Sequence, residues 1–183
     1  MTESLIDEPL QQKVNILELN RLKVLDENEE SVYISSFWKT NPAILIFIRH
    51  FGCIACRGHV DQVWSRKDEI QKNGSKIVFI GNGDSYMISE FKKEMNVLNA
   101  PIFTDPTLKT FDAIGLFRGV GAILNPRSIK EMIKLYNKGY SQGKMQKGNG
   151  FHTQLGGIII MKPPGIVTYH YVSQYIGDYG GVP

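Results

Sequence analysis

An apolar run, Ala43-Ile44-Leu45-Ile46-Phe47-Ile48, leads directly to two cysteines spaced Cys53-x-x-Cys56. A run of strand length, rich in β-branched and aromatic residues, is the pattern of a strand covered on both faces. The chain then turns polar at Arg49-His50 and loosens at Gly52. Beyond the cysteines, Val60, Val63, Trp64 and Ile70 recur at helical spacing, and Gly74 marks a C-terminal stop, so a helix is predicted over 54–73. Both sulfurs therefore fall between the carboxyl end of a central strand and the amino end of a helix. That helix end carries unpaired N–H groups and the positive pole of the macrodipole, so a cysteine there ionises more readily than a free thiol of pKa about 8.5. Arg57, Arg49 and His50 are expected to push in the same direction. Cysteines one helical turn apart can also close as a disulfide. The competing reading is a pair of buried, inert thiols.

The rest of the chain supplies the scaffold such a motif needs. Val14–Leu19, Leu22–Leu25 and Ser31–Trp38 read as short flanking elements, the first two as strands. Lys76–Ile80 is a second buried strand, followed by a helix with Met87, Ile88, Phe91 and Met95 on one face. Strand, helix, strand, helix argues for a parallel core. Gly81-Asn82-Gly83-Asp84-Ser85-Tyr86 has Tyr86 where a dinucleotide fingerprint requires its third glycine, and reads as a tight turn and helix cap. Pro101–Thr104 is a third strand. Asp105-Pro106 is predicted to cap and open a helix carrying Leu108, Phe111 and Ile114, stopped at Gly115.

Between Arg118 and Gly150 the composition changes. Arg118, Arg127, Lys130, Lys134, Lys138, Lys144 and Lys147 face a single acid, Glu131. Asn125-Pro126 opens a helix with Ile129, Met132, Ile133 and Tyr136 as its apolar side, and a glycine-rich stretch runs from Gly139 to Gly150. The segment is either a basic flap drawing an anionic substrate or acidic partner toward the cysteines, or a solvated helix face with a mobile loop. Gly157–Met161, the turn Lys162-Pro163-Pro164-Gly165, and Ile166–Val172 form a terminal hairpin. The predicted architecture is α/β: a thioredoxin-like fold, its central mixed sheet flanked by helices, with a basic helical insertion before the C-terminal hairpin.

At 183 residues and 42% hydrophobic content, one domain over 1–183 is expected, with 1–40 as an N-terminal extension of short strands and 118–150 as the insertion. A net charge of +3 is too small to imply nucleic acid or membrane binding. Two closely spaced cysteines suit a redox or metal role in a reducing compartment better than a structural bridge in a secreted protein. With no leader pattern and no run near ~20 apolar residues, a cytoplasmic protein is expected.

Five pieces recur in order in one family: Arg49-His50-Phe51-Gly52-Cys53-Ile54-Ala55-Cys56-Arg57; Gly81-Asn82-Gly83 after the second strand; Thr104-Asp105-Pro106 before Ala113-Ile114-Gly115-Leu116; Gln154-Leu155-Gly156-Gly157; and Gly177-Asp178-Tyr179. Over about residues 40–180 the chain resembles the peroxiredoxin-like (AhpC/TSA-type) branch of the thioredoxin superfamily, which includes selenoprotein-L-related redox proteins and prostamide/prostaglandin F synthase. The resemblance implies a thiol oxidoreductase with an antioxidant role and a redox-active disulfide. It implies no bound cofactor, a peroxide or endoperoxide substrate, and an external reductant, thioredoxin with NADPH. In a thioredoxin-type mechanism Cys53 attacks and Cys56 resolves. The peroxiredoxin pattern Pro-x-x-x-Thr-x-x-Cys instead places the peroxidatic cysteine at Cys56, with Arg49 standing for its proline and Cys53 for its threonine. No proline occupies His152-Thr153-Gln154-Leu155, where thioredoxins carry a cis-proline. Cys53 is the preferred nucleophile on helix position and expected exposure, with Arg57 and Arg49 as candidate thiolate stabilisers.

Two other classes compete. His50, Cys53, Cys56 and His59 are zinc ligand types, although structural zinc sites usually join two separated pairs. A redox-inactive interaction domain is the other. Relatives continue past Gly-Asp-Tyr into a helix, so an apolar sheet face is expected to be covered by the first forty residues or by self-association as a homodimer.

Overall fold

The computed structural model describes residues 14–180. Among these, seven strands form one mixed sheet in the order β2-β1-β5-β4-β3-β6-β7. The strands are β1 (Lys23–Leu25), β2 (Ser31–Tyr33), β3 (Ala43–Phe47), β4 (Lys76–Gly81), β5 (Ile102–Thr104), β6 (Gly157–Lys162) and β7 (Ile166–Val172). Central β3 is parallel to β4, with Leu45 opposite Val78, and antiparallel to β6, with Leu45 opposite Ile159. All five of its residues are buried, as its unbroken apolar pattern requires.

Alternation along these strands divides the core in two. Ile44, Ile46, Ile77, Phe79 and Ile158 face the layer that holds the cysteines. That layer is built by helices α2 (Ile54–Ser65) and α4 (Tyr86–Glu94), through Val60, Val63, Met87, Ile88 and Phe91. Leu45, Phe47, Val78, Ile80, Ile159 and Met161 face the other way. There they meet Phe111 of α5 (Lys109–Ala113), and Val14, Leu19, Val24, Ile34 and Trp38 from the first forty residues. Coverage of the cysteine face comes from elsewhere: α6 (Pro126–Asn137) packs on α2, and Ile176 of the segment after β7 donates its N–H to Ser128 Oγ at 2.9 Å. Gly58, in mid-α2, permits that approach, because a Cβ there would stand 2.8 Å from Leu135.

Several local expectations are corrected. Ile16–Leu19 is a helical turn (α1), not a strand; Asn15 caps it by accepting from Glu18 N at 3.1 Å. The helix predicted over 54–73 breaks at Arg66 into α2, a short α3 (Lys67–Ile70) and a 3-10 turn, ending at left-handed Gly74. Asp105 does not open a helix directly. Its carboxylate accepts from Thr107 and Thr110 N–H groups at 3.0 and 2.7 Å, closing a turn that ends at left-handed Leu108, and α5 starts after it. In α6 only part of the expected apolar side turns inward: Met132 packs against the cysteine-side core. Ser128 and Leu135 are buried, while Ile129, Ile133 and Tyr136 are exposed, because the helix docks through the Leu135–Gly58 contact.

Candidate active site

Strand β3 ends at the sheet's carboxyl edge and the chain turns through His50–Cys53, Cys53 N–H bonding His50 O at 3.1 Å. Cys53 is the N-cap of α2 and Cys56 lies in its first turn. Both sulfurs are reduced and both residues are 2% exposed. The expectation that Cys53 is the more exposed is corrected: residues 140–151 lie over the turn. Gln142 Oε1 accepts from Ile54 N at 3.1 Å and Gly143 N–H bonds Gly52 O at 3.1 Å. Gly148 O accepts from Asp84 N at 2.7 Å, and Tyr140 Oη donates to Asp61 at 2.6 Å. The glycine-rich part of the basic segment is thus tied down across the thiols rather than free.

Arg49 is the hub. Its backbone N–H meets Cys56 Sγ at 3.2 Å and its Nη1 meets Cys53 Sγ at 3.3 Å. Nε donates to Gln154 O at 3.1 Å and Nη2 to His152 O, which fixes the guanidinium plane. Asn82, at the end of neighbouring parallel β4, donates to Arg49 O at 2.5 Å and accepts from Phe151 N at 2.8 Å, joining strand end to covering loop. Arg57, the other expected stabiliser, points elsewhere. It pairs with Glu94 at 2.6 Å and lies over Phe91.

These contacts split the two thiols. Hydrogen bonding with Cys56, together with the Arg49 charge, holds the Cys53 pKa down to about 6 against the opposing effect of burial. Burial and the neighbouring sulfur push Cys56 up, so it stays protonated. His50 contributes no charge: burial, Arg49 and His152 lower it to about 3, and it sits edge-on to His152 with ring nitrogens 3.4 Å apart. His59, lowered by burial to about 4, stacks on Tyr179 at 4.0 Å. The four zinc-type side chains do not converge; among the described residues no group of three His, Cys, Asp or Glu is placed to hold a metal ion.

Sequence reasoning missed four polar residues of this site. Asn82 and Gln154 lie in motifs already singled out, Asn82 directly after β4 and Gln154 ahead of β6, and both bond Arg49. Tyr179 lies in Gly-Asp-Tyr. Gln142 carries no sequence signal, since it reaches Ile54 across 88 residues of chain.

Two free thiols at a strand-to-helix turn, with the Arg49 guanidinium beside one of them, stand on a thioredoxin-like scaffold. The chain belongs to the AhpC/TSA antioxidant enzyme family, whose model matches residues 62–174, beginning just after the cysteine turn. It is 28% identical over 153 residues to the Thioredoxin-like protein AAED1, chloroplastic, of Arabidopsis thaliana, covering 79% of this chain and 60% of that protein, so the match spans less than two thirds of that relative. The Prostamide/prostaglandin F synthase of Salmo salar is 28% identical over 152 residues, covering 82% of this chain and 75% of the synthase. The fold is similar to a peroxiredoxin-like protein from Aquifex aeolicus, with a TM-score of 0.58, 15% identity, and coverage of 86% and 75% of the two chains.

Proposed function

We propose that this protein reduces peroxides through a dithiol cycle on Cys53 and Cys56. The observation that carries the reading is the placement of Arg49: its Nη1 lies 3.3 Å from Cys53 Sγ and its backbone N–H 3.2 Å from Cys56 Sγ, which favours Cys53 as the thiolate and leaves Cys56 as the resolving thiol. Once the Gln142–Met145 segment lifts, the Cys53 thiolate attacks one peroxide oxygen. The O–O bond breaks, the departing oxygen takes a proton and leaves as an alcohol or water, and Cys53 becomes a sulfenic acid. Cys56 then attacks the Cys53 sulfur, water leaves, and a disulfide remains. A thioredoxin-type dithiol, drawing on NADPH, returns both thiols.

A cyclic endoperoxide is the second substrate class, favoured by the likeness to the salmon synthase over most of the chain. Attack on an endoperoxide oxygen links it to Cys53 and frees the other. Displacement by Cys56 then releases a product that keeps both oxygens as hydroxyls.

The test is NADPH oxidation with thioredoxin and its reductase over a panel of hydrogen peroxide, alkyl hydroperoxides and a cyclic endoperoxide, using the wild type, Cys53→Ser and Cys56→Ser. Turnover lost in both variants, with a trapped mixed disulfide from Cys56→Ser only, is the expected result. Undiminished turnover by Cys53→Ser refutes the assignment.

A further inference from the structure

The cycle above uses two sulfurs and one guanidinium, yet another ionisable group is buried beside them. The segment after β7 folds back over the cysteine face and places the half-buried Tyr179 ring against His59. The Tyr179 hydroxyl is sequestered from solvent and has no hydrogen-bond partner. Leaving such a group unsatisfied costs about 1–3 kcal/mol, so its position asks for an explanation. Tyr179 lines a cavity of about 10 Å³ together with Cys56, Arg49, His59, Ser173 and Tyr175, which is room for about one water. The carboxylate of the segment, Asp178, is already engaged, accepting from Tyr171 Oη of β7 and from Gln174 N at 2.8 Å. Burial and the nearby sulfurs push the Tyr179 phenol well above its ordinary range, so it is a neutral donor.

Resolution of a sulfenic acid needs such a donor. Cys56 must lose its thiol proton as its sulfur bonds to Cys53. The S–O bond of Cys53 breaks, and hydroxide, a poor leaving group, must gain a proton to depart as water. We propose that the Tyr179 hydroxyl relays that proton, giving its own to the departing hydroxyl while taking the one released by Cys56, and that the adjacent cavity receives the water. The inference rests on the peroxide-reducing reading of Cys53 and Cys56. Proton and electron counts close within the pair: one sulfenic acid and one thiol give one disulfide and one water, and Tyr179 is unchanged.

Tyr179→Phe removes the hydroxyl and keeps the ring on His59, and Tyr171→Phe, which deletes a phenol bonded to Asp178, is the control. Each full-length protein is first oxidised with equimolar hydrogen peroxide. Sulfenic acid at Cys53 is then followed by dimedone trapping, and disulfide by intact mass. Separately, a thionitrobenzoate mixed disulfide is formed on Cys53; its leaving group departs as a stable thiolate and needs no proton. General acid–base assistance gives about 100-fold or more, so Tyr179→Phe is expected to form the sulfenic acid at the wild-type rate and close the disulfide about 100-fold more slowly. It should resolve the mixed disulfide normally. Equal slowing with both leaving groups, or wild-type closure after peroxide, overturns the relay. If wild-type Cys53 takes no oxygen from peroxide yet resolves the mixed disulfide, the peroxide reading fails, and the relay falls with it.

Discussion

Replacing Arg49 by Met tests the electrostatic core of the site. The guanidinium nitrogen is 3.3 Å from Cys53 Sγ, and at an effective dielectric of about 20 the Coulomb attraction between unit charges at that distance is roughly 5 kcal/mol. That is the gross figure. Holding the thiol at about 6 rather than 9.0 corresponds to a net ~4 kcal/mol, of which the Cys56 hydrogen bond is the largest favourable part and burial an opposing one. The share of Arg49 is therefore less than half, and Arg49→Met should raise the Cys53 inflection by about one to two pH units, cutting its thiolate at pH 6 by about 5- to 50-fold. The backbone bond from residue 49 to Cys56 survives the change, so the turn should persist. The assay is the pH dependence of iodoacetamide alkylation, with the modified residue located by peptide mapping. Cys56 stays protonated across the neutral range and should not contribute. An inflection within about 0.3 units of wild type, or one mapping to Cys56, would refute the account of the thiolate given by these contacts.

Three further outcomes follow from neighbouring groups. His50 and His59 are neutral in the fold, held to about 3 and about 4, whereas unfolded histidines titrate near 6.5; below that pH the unfolded state binds more protons, so stability is complete above it and falls on acidification. Urea denaturation should show a loss of about 4 kcal/mol between pH 7 and 5, roughly halved by His59→Phe, which keeps the stack on Tyr179; a flat profile contradicts this. Glu94→Gln leaves the buried Arg57 guanidinium without its carboxylate and should cost about 1–3 kcal/mol while leaving the Cys53 inflection in place. Movement of that inflection as large as with Arg49→Met would make Arg57 the stabiliser instead. Gly83→Ala sets a Cβ 2.6 Å from Gly148 O and 2.7 Å from Asn149 O, so the covering loop must lift. At pH 8 the Cys53 alkylation rate should rise about 10-fold at a stability cost of about 1–3 kcal/mol, and an unchanged rate would show that the loop does not limit access.

Much of the scaffold was legible because its signals are local. An unbroken apolar strand, a polar turn and a helical repeat are read within thirty residues, and the succession of such units implies the parallel core that β3, β4 and β5 form. Asn125-Pro126 was read correctly as a helix start, with Asn125 Oδ1 accepting from Arg127 N at 2.9 Å. Errors arose where tertiary contacts override local preference. The Val14–Leu19 pattern suits a strand, but Asn15 caps a helical turn whose Leu19 enters the second core. In α6 the apolar positions favour one buried face, yet of these Met132 alone packs inward and the near-contact with Gly58 buries Leu135.

The sequence by itself determined the family, the α/β plan and the position of two cysteines at a strand-to-helix turn, because those depend on residues adjacent in the chain. Only the tertiary structure decided the electrostatics of the pair. Arg49 and Arg57 each stand four residues from Cys53 in sequence, but one guanidinium meets Cys53 and the other Glu94. Gln142 and Tyr179, both more than 80 residues from the helix start, respectively bond the helix's first N–H and border the cavity at Cys56. Burial and charge fall steeply with distance in space, and chain separation does not encode that distance.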